Sequence, residues 1–545
     1  GLIFLDNAPP IYPFKTTYIH GFLLIESFHK GILPCLFGDV PPFRTSFGLA
    51  EGLSKRRYDE EQLFIKHSPD KNHEWGKIGR YKIKKENKDK MEENLSKNIK
   101  KWAVEYRSQW KEYVYGLIGA EISTTVEFSD ACIQIAPEKH DTGLLFETIT
   151  CQSKSLVNDI SEIKDHRQEK KKRYSFLING NFNYLSDIQA QLQELHKKLS
   201  RHSRLFLVIY NPFFGFFYSL ASLLGIRKAP KPNVYITEKD LNTFTKLAKY
   251  EIVRTRPTVF LPFYIPLISD FFNSFLPILP LIRKLSLVWL VVLRPIIPEE
   301  NTPSLSIIIP ARNESGNIED AIKRIPEFPN TDIEIIFVEG NSTDDTWEHI
   351  QEQVKNPREP FAIKAFKQPG KGKNDAVRVG FDNATGELVT ILDADLTTPP
   401  EMLPRFYDAY NQGLGDFING SRLVYPMENE AMRSLNRLGN IFFSKVLSWV
   451  LGLPISDSLC GTKFYPLHDY KRFILWRNKF GDFDPFGDFE MLFSASELAL
   501  GVIDIPIQYR ARTYGETNIS RFRNGLELSR MTTIGFFRVL MGKRR

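Results

Sequence analysis

Two apolar runs that break off into polar, acidic turns constrain this chain more than any other feature. SLSIIIPARNE (residues 304–314) is an Ile- and Leu-rich run that stops at Pro310, and VTILDADLTTPPE (residues 389–401) runs from apolar residues straight into Asp393 and Asp395. Buried strands that empty into acidic loops are how a parallel α/β sheet offers polar groups to a ligand at its carboxyl edge. On extended backbone alternate side chains share a face, so Asp393 and Asp395 can share one divalent cation, or its water, through hard oxygen donors.

From Ser304 onward the pattern alternates. LSIIIP, IEIIFVEG, FAIKAFKQ and ELVTILDAD read as strands; IEDAIKRI, DDTWEHIQEQV and the stretch after the glycine-basic loop GKGKNDA read as helices. Ser342, Asp344 and Asp345 suit the start of the second helix. The expected fold is α/β with a mostly parallel sheet. Upstream, RYSFLING, RLFLVIYNP, KYEIVRTRPTVFLP and LSLVWLVVLRP read as strands, and DIQAQLQELHKKLS as a helix between the first two. Strand, helix, strand implies a parallel βαβ unit. PIIPEENTP (residues 295–303) reads as a linker.

At 545 residues the chain exceeds one core, and the length suggests roughly three to four domains, or two with insertions. Residues 1–60 show no clear periodicity, 72–112 read as solvated helix or disorder, and the basic run 164–173 reads as a surface linker. Residues 205–226 and 259–282 are apolar enough to raise the membrane question. Asn211-Pro212 in the first and four prolines in the second favour buried core, with interfacial contact as the alternative. The net charge of +7 fits anionic substrates or a membrane surface and gives little support to nucleic acid. Four widely spaced cysteines without a Cys-x-x-Cys pair argue against a zinc site or disulfide framework and for a reducing compartment.

PARNE (310–314), VEGNSTDDTW (338–347), GKGKNDAV (370–377), DADLTTPPE (393–401) and NGSR (419–422) fall in the order and spacing of family 2 GT-A glycosyltransferases. RSLNRLGN, DSLCGTKFY, FGDFE and RTYGETNISRF extend the resemblance to dolichyl- or polyprenyl-phosphate sugar synthases, over about residues 304–540. Residues 174–296 resemble the carboxyl half of a class I methyltransferase, on the FLINGNFNYLSDIQAQLQEL and RLFLVIYNPFF stretches. No acidic-x-Gly-x-Gly-x-Gly loop follows an upstream strand, which implies a degenerate module. The implied layout is an unassigned region over 1–173, a partial α/β methyltransferase-like module over 174–296, and a Rossmann-like GT-A domain over 304–545.

The resemblance implies a GDP- or UDP-sugar donor, a polyprenyl phosphate acceptor, and Mg or Mn held by Asp395 with Asp393 in support. The metal would neutralise charge on the departing diphosphate. Pro310, Ala311, Arg312, Asn313 and Glu314 would floor the nucleotide base, with Glu314 near the ribose. Glu339 and Asn341 stand where the family has two aspartates contacting base and ribose. Lys373, with Lys371, would meet the diphosphate, and Asp375 the base or ribose. Arg422, Arg433 and Arg512 would bind the acceptor phosphate, whose oxygens match a guanidinium fork, with Thr517 and Asn518 donating beside them. Asp488 or Glu490 holds the place of a general base, although a phosphate acceptor is already anionic and needs none. The Gln-x-x-Arg-Trp signature of processive synthases is absent. Residues 439–453 and the carboxyl-terminal TTIGFFRVLMGKRR suit helices on an anionic membrane face, or core packing. The implied location is the cytoplasmic face of a membrane, peripheral or monotopic. The alternatives are a soluble transferase to a sugar or protein hydroxyl, and a non-enzymatic scaffold.

Overall fold

The computed structural model describes residues 110–138, 141–169, 171–223, 231–426, 434–482, 484, 486–512, 514 and 521–541. Two mixed sheets organise them.

The first sheet holds β1 (Ala131–Ile135), β2 (Lys154–Val157), β3 (Tyr174–Asn179), β4 (Arg204–Tyr210), β5 (Tyr250–Thr258) and β6 (Val288–Pro295), in the order β2-β1-β3-β4-β6-β5. β1 to β4 are parallel, and β6 runs antiparallel to both its neighbours. β3 and β4 are buried along almost their whole length, which is why they read as unbroken apolar runs. Residues 110–126 are helical (α1). α2 (Ile188–His196) starts where Asp187 accepts a hydrogen bond from the Ala190 amide at 2.9 Å, a side-chain cap for one of the helix's free amides. α3 (Gly215–Leu223), α4 (Glu238–Leu247) and α5 (Ile268–Phe275) follow. β1 and β2 lie upstream of residue 174, so this sheet reaches further toward the amino terminus than the sequence pattern indicated.

The second sheet is built from β7 (Leu305–Ala311), β8 (Ile333–Glu339), β9 (Ala362–Lys367), β10 (Leu388–Ile391), β11 (Phe417–Ser421), β12 (Lys463–Pro466) and β13 (Val502–Pro506), in the order β13-β11-β12-β10-β7-β8-β9. β12 alone is antiparallel to its neighbours β10 and β11. Its helices are α6 (Ile318–Arg324), α7 (Thr346–Lys355), α8 (Lys373–Asp382), α9 (Leu403–Asn411), α10 (Ser434–Leu451), α11 (Leu467–Phe480), α12 (Asp488–Glu497) and α13 (Arg521–Gly535), the last continued by a π-helical turn (Phe536–Met541). Alternate residues of β7 serve opposite faces. Ile307 and Ile309 pack with α6 and α9, while Ile308 packs with α8 and the α10–α12 layer. Carboxyl ends of β7, β8 and β10 therefore open on one edge.

The two sheets are joined through buried arginines. Arg204 on β4 meets Asp416 at 2.6 Å and donates to the Ala499 carbonyl at 2.6 Å. Arg294 on β6 lies 3.5 Å from the other Asp416 oxygen and donates to the Gly413 carbonyl at 3.0 Å. Arg201 pairs with Glu299 at 2.9 Å, donates to the carbonyls of Tyr410 and Gly415, and stacks over the Tyr410 ring. Burial alone would raise the Asp416 pKa, but Arg294, Arg204 and Arg201 outweigh it and hold the carboxyl well below its usual range. Arg173 corrects the reading of 164–173 as a surface linker. It is fully buried, 3.5 Å from Asp469.

His202 and His468 meet edge to face at the same seam, 4.4 Å between ring centres. Burial pushes both imidazoles toward the neutral form, His468 to about 4 against the partial opposition of Asp469. Ligand-type atoms of His202, His468 and Asp469 lie within 4.8 Å of one another. Asp469, however, already faces Arg173 and Arg472, and that cationic surrounding disfavours a metal ion. The unfolded chain takes up a proton at His468 first, near pH 6.5. Stability is therefore expected to fall as pH drops from about 6.5 to about 4, by about 2–3 kcal/mol from this group. Urea unfolding at both ends of that window checks it: His468→Gln should lose correspondingly less stability than the parent.

Candidate active site

Loops at the carboxyl edge of the second sheet are tied to one another before any ligand is considered. Gly340 donates from its amide to the Ala311 carbonyl at 2.8 Å, Asn313 to Ser342 Oγ at 3.0 Å, and Glu314 to Thr346 Oγ1 at 2.9 Å. Asn313 Oδ1 accepts from the Thr343 amide at 2.8 Å. Asn313 and Asn341 both sit at φ +56°, a region asparagine tolerates better than most residues. Pro310 and Ala311 complete β7, Arg312 is exposed beside Gly340, and Glu339 is buried with its carboxylate accepting from the Ser342 amide. Asn341 is exposed and donates to the Gly370 carbonyl at 3.4 Å. Asp375 accepts from the Gly370 amide at 2.8 Å, so its carboxylate closes the GKGK loop from within.

Asp393 and Asp395 leave the end of β10 with a cation against each. Lys373, at the start of α8, lies 2.5 Å from Asp393 Oδ1. Arg512 lies 2.6 Å from Asp395 Oδ2 and 3.2 Å from Glu314 Oε1. Asp395 Oδ1 accepts from the Thr397 amide at 3.1 Å and hydroxyl at 2.8 Å, which fixes the carboxylate's plane. Arg512 arrives because the chain beyond β13 crosses back over this edge, with the Arg510 amide donating to the Thr397 carbonyl at 3.0 Å. Burial works against charge on both members of the Lys373–Asp393 pair, yet the pair prevails: Lys373 is raised and Asp393 lowered. Glu314 is pushed up to about 6, chiefly by burial, with Asn317 and Arg512 opposing. Gly461 closes on the same place, since a Cβ there would run into Lys373 Nζ and Asp393 Oδ2.

The two FGDFE carboxylates part company. Asp488 begins α12 and lies 3.3 Å from the buried Lys463 ammonium; its charge also helps raise Lys373. Glu490 is buried and committed to Arg378 and, at 3.0 Å, to Arg477. Arg422 pairs with Asp457: Nε and Nη2 reach its two oxygens at 2.7 and 2.9 Å, and Asn440 donates to the same carboxylate at 2.7 Å. Arg433, Thr517 and Asn518 lie outside the described residues. Sequence reasoning missed Asp457, Lys463 and Gly461. All three sit in or beside the DSLCGTKFY motif that it did single out.

A mixed α/β sheet thus brings two carboxylates and two cations together at the carboxyl edge of β10, the edge at which open α/β sheets bind ligands. Residues 306–467 match the family model described as glycosyl transferase family 2. A dolichol-phosphate mannosyltransferase of Pyrococcus furiosus is 36% identical over 122 residues, 22% of this chain and 33% of that protein. A dolichyl-phosphate hexose transferase of Haloferax volcanii is 27% identical over 229 residues, 42% of this chain and 91% of that protein. An undecaprenyl-phosphate 4-deoxy-4-formamido-L-arabinose transferase of an Enterobacter species is 25% identical over 224 residues, 40% of this chain and 63% of that protein. The chain thus spans a third of the Pyrococcus protein. Among solved structures, glucosyl-3-phosphoglycerate synthase of Mycobacterium tuberculosis with Mn2+ and UDP is similar over 44% of this chain and 80% of that one, at 16% identity and a TM-score of 0.33.

Proposed function

We propose that the protein transfers a sugar from a nucleoside diphosphate donor, GDP- or UDP-linked, to a polyprenyl phosphate at a membrane surface, inverting the anomeric centre. The observation that carries the reading is the meeting of Asp393, Asp395, Lys373 and Arg512 at the end of β10. The likeness to lipid-phosphate transferases supports the acceptor class.

Asp393 and Asp395 offer the hard oxygen donors that Mg or Mn takes, and an ion there would displace Lys373 and Arg512, both partly exposed and able to turn away, from the carboxylates. A bound divalent ion would offset the negative charge that develops on the leaving diphosphate. Lys373 and Arg512, released from the carboxylates, would be the cations available to phosphate oxygens. Glu339 and the β7 turn from Pro310 to Glu314 supply the pocket wall for base and ribose. Arg422 is assigned to hold the acceptor wall through Asp457 rather than to grip phosphate itself.

Asp488 is the carboxylate beside this cluster, and its part is to orient Lys463 and Lys373. A phosphate acceptor is ionised already, so removing the Asp488 charge should cost less than removing the Arg512 guanidinium. Arg512→Ala is expected to lower kcat/KM about 100-fold and Asp488→Asn about tenfold. The reverse ranking would favour a hydroxyl acceptor with Asp488 as base. A transfer assay with UDP- and GDP-sugars, Mg or Mn, and a short polyprenyl phosphate tests the reading. Donor hydrolysis that polyprenyl phosphate does not accelerate would refute it.

Residues 174–296 we read as methyltransferase-like. The parallel sheet with β6 reversed near its edge supports this. Ala136-Pro137-Glu138 follows β1 where a glycine-rich cofactor loop would be needed, so the module is assigned no methyl transfer.

A further inference from the structure

Among the described residues, exposed apolar side chains gather on the outer helices of the first sheet. On α3, Phe216 and Leu223 are 73% and 83% exposed, next to Phe213 and Phe217. A second group runs from residue 263 to 285 through α5, with Leu267 83%, Phe271 57% and Leu281 88% exposed. The sequence reading of 259–282 as buried core is thereby corrected. Asn273 and Ser269 are the buried residues of α5, and its phenylalanines face outward.

The two groups adjoin. Asn211, which caps the turn before α3, donates to the carbonyls of Lys284 and Ser286 at 2.8 and 2.6 Å, and Tyr218 donates to the Leu287 carbonyl at 2.5 Å. The second group is a built element: buried Asn273 accepts from the amides of Phe260 and Leu261 at 2.7 and 3.0 Å, and Tyr113 and Trp110 pack on Tyr264 and Phe263. Leu267 sits at φ +66°, uncommon for a leucine, with its side chain in solvent. Exposed apolar surface of this extent is a binding surface.

Its neighbours say what it binds. Trp449 on α10 donates to the Ile278 carbonyl at 3.2 Å, and the same helix carries Asn440, hydrogen-bonded to Asp457 beside Arg422. α10 thus links the segment that carries the second group to the Asp457–Arg422 pair. Exposed Lys284, paired with Glu238 at 3.2 Å, lies within it and exposed Lys445 stands one turn before Trp449 on α10, while Trp110, Tyr113 and Tyr264 line one side and Asp270 is the acid on α5. Aromatic rims with flanking lysines match a bilayer interface bearing anionic headgroups. No helix among the described residues is long and apolar enough to cross a membrane.

We infer that the apolar shelf formed by α3 and residues 263–285 of the first sheet's module seats the protein on an anionic membrane surface, with α10 leading from it to the acceptor pocket. The inference rests on the lipid-phosphate reading of the acceptor. Co-sedimentation of the full chain with phosphatidylcholine vesicles, with and without phosphatidylglycerol, tests it against a Phe216→Glu/Phe271→Glu variant. Both positions are exposed, and a matching thermal unfolding curve verifies the fold. Partitioning onto anionic vesicles should drop about 100-fold in the variant, while transfer to a short, water-soluble polyprenyl phosphate should be unchanged. The inference is overturned if the variant binds vesicles as the parent does, if Phe537→Glu alone abolishes binding, or if the variant instead dissolves a self-associated dimer seen by sedimentation. Vesicle binding that depends on the shelf, with no transfer to any lipid phosphate, would sink the function and leave the docking surface standing.

Discussion

Asp395→Asn is expected to lower kcat/KM for sugar transfer about 1,000-fold, the scale on which removing charge stabilisation at a phosphate leaving group registers. Asparagine keeps an oxygen for the Thr397 amide and hydroxyl, so the loop after β10 should hold its shape. The negative charge is lost, and Arg512 keeps only Glu314 as an acidic partner among these groups. Steady-state transfer with the preferred donor, alongside an unfolding curve for the variant, separates lost chemistry from lost structure. An effect of this size with stability intact places Asp395 on the reacting diphosphate.

Asp416→Ala is expected to be the most damaging single change to the fold, at about 3–5 kcal/mol or outright insolubility. Arg204 and Arg294 reach Asp416 from two strands of the first sheet, and its Oδ2 also accepts from the Gly501 amide at 3.0 Å. Deleting the carboxylate strands buried guanidinium groups that cannot regain water. Glu401→Gln makes the internal comparison. The Arg324–Glu401 pair has good geometry, 2.8 Å, but its side chains are 27% and 51% exposed, so its loss should cost about 0–1 kcal/mol. Urea unfolding of both variants tests whether the two sheets stand or fall together through this node.

The sequence was most legible where burial and chemistry are both local. β7, β8 and β10 are apolar because helices cover both faces of the sheet, and the break from VTIL to Asp393 marks where that cover ends. Asp187 as a helix start is equally local. Arg512 was singled out in the sequence, but its meeting with Asp395 and Glu314 depends on a crossing from β13 back to β10 that no local pattern encodes. Arg173 sits in a run of lysines that reads as solvated, and partners far along the chain, Asp469 and the Leu498 carbonyl, explain its burial. Glu490 and Asp488 share a motif one residue apart, and helical geometry sends them to different partners. Residues 259–282 misled for the opposite reason. Their composition suits a core, and composition does not say whether that core is protein or lipid.

Equilibrium dialysis of UDP and GDP against the parent protein and Asp395→Ala, in Mn2+ and again in EDTA, tests the central claim most directly. Retention of one nucleotide by the parent in Mn2+, lost in EDTA and lost in the variant, is the predicted result. Retention that neither EDTA nor the substitution disturbs would contradict it, because Asp393 and Asp395 would then have no part in holding a metal-bound diphosphate.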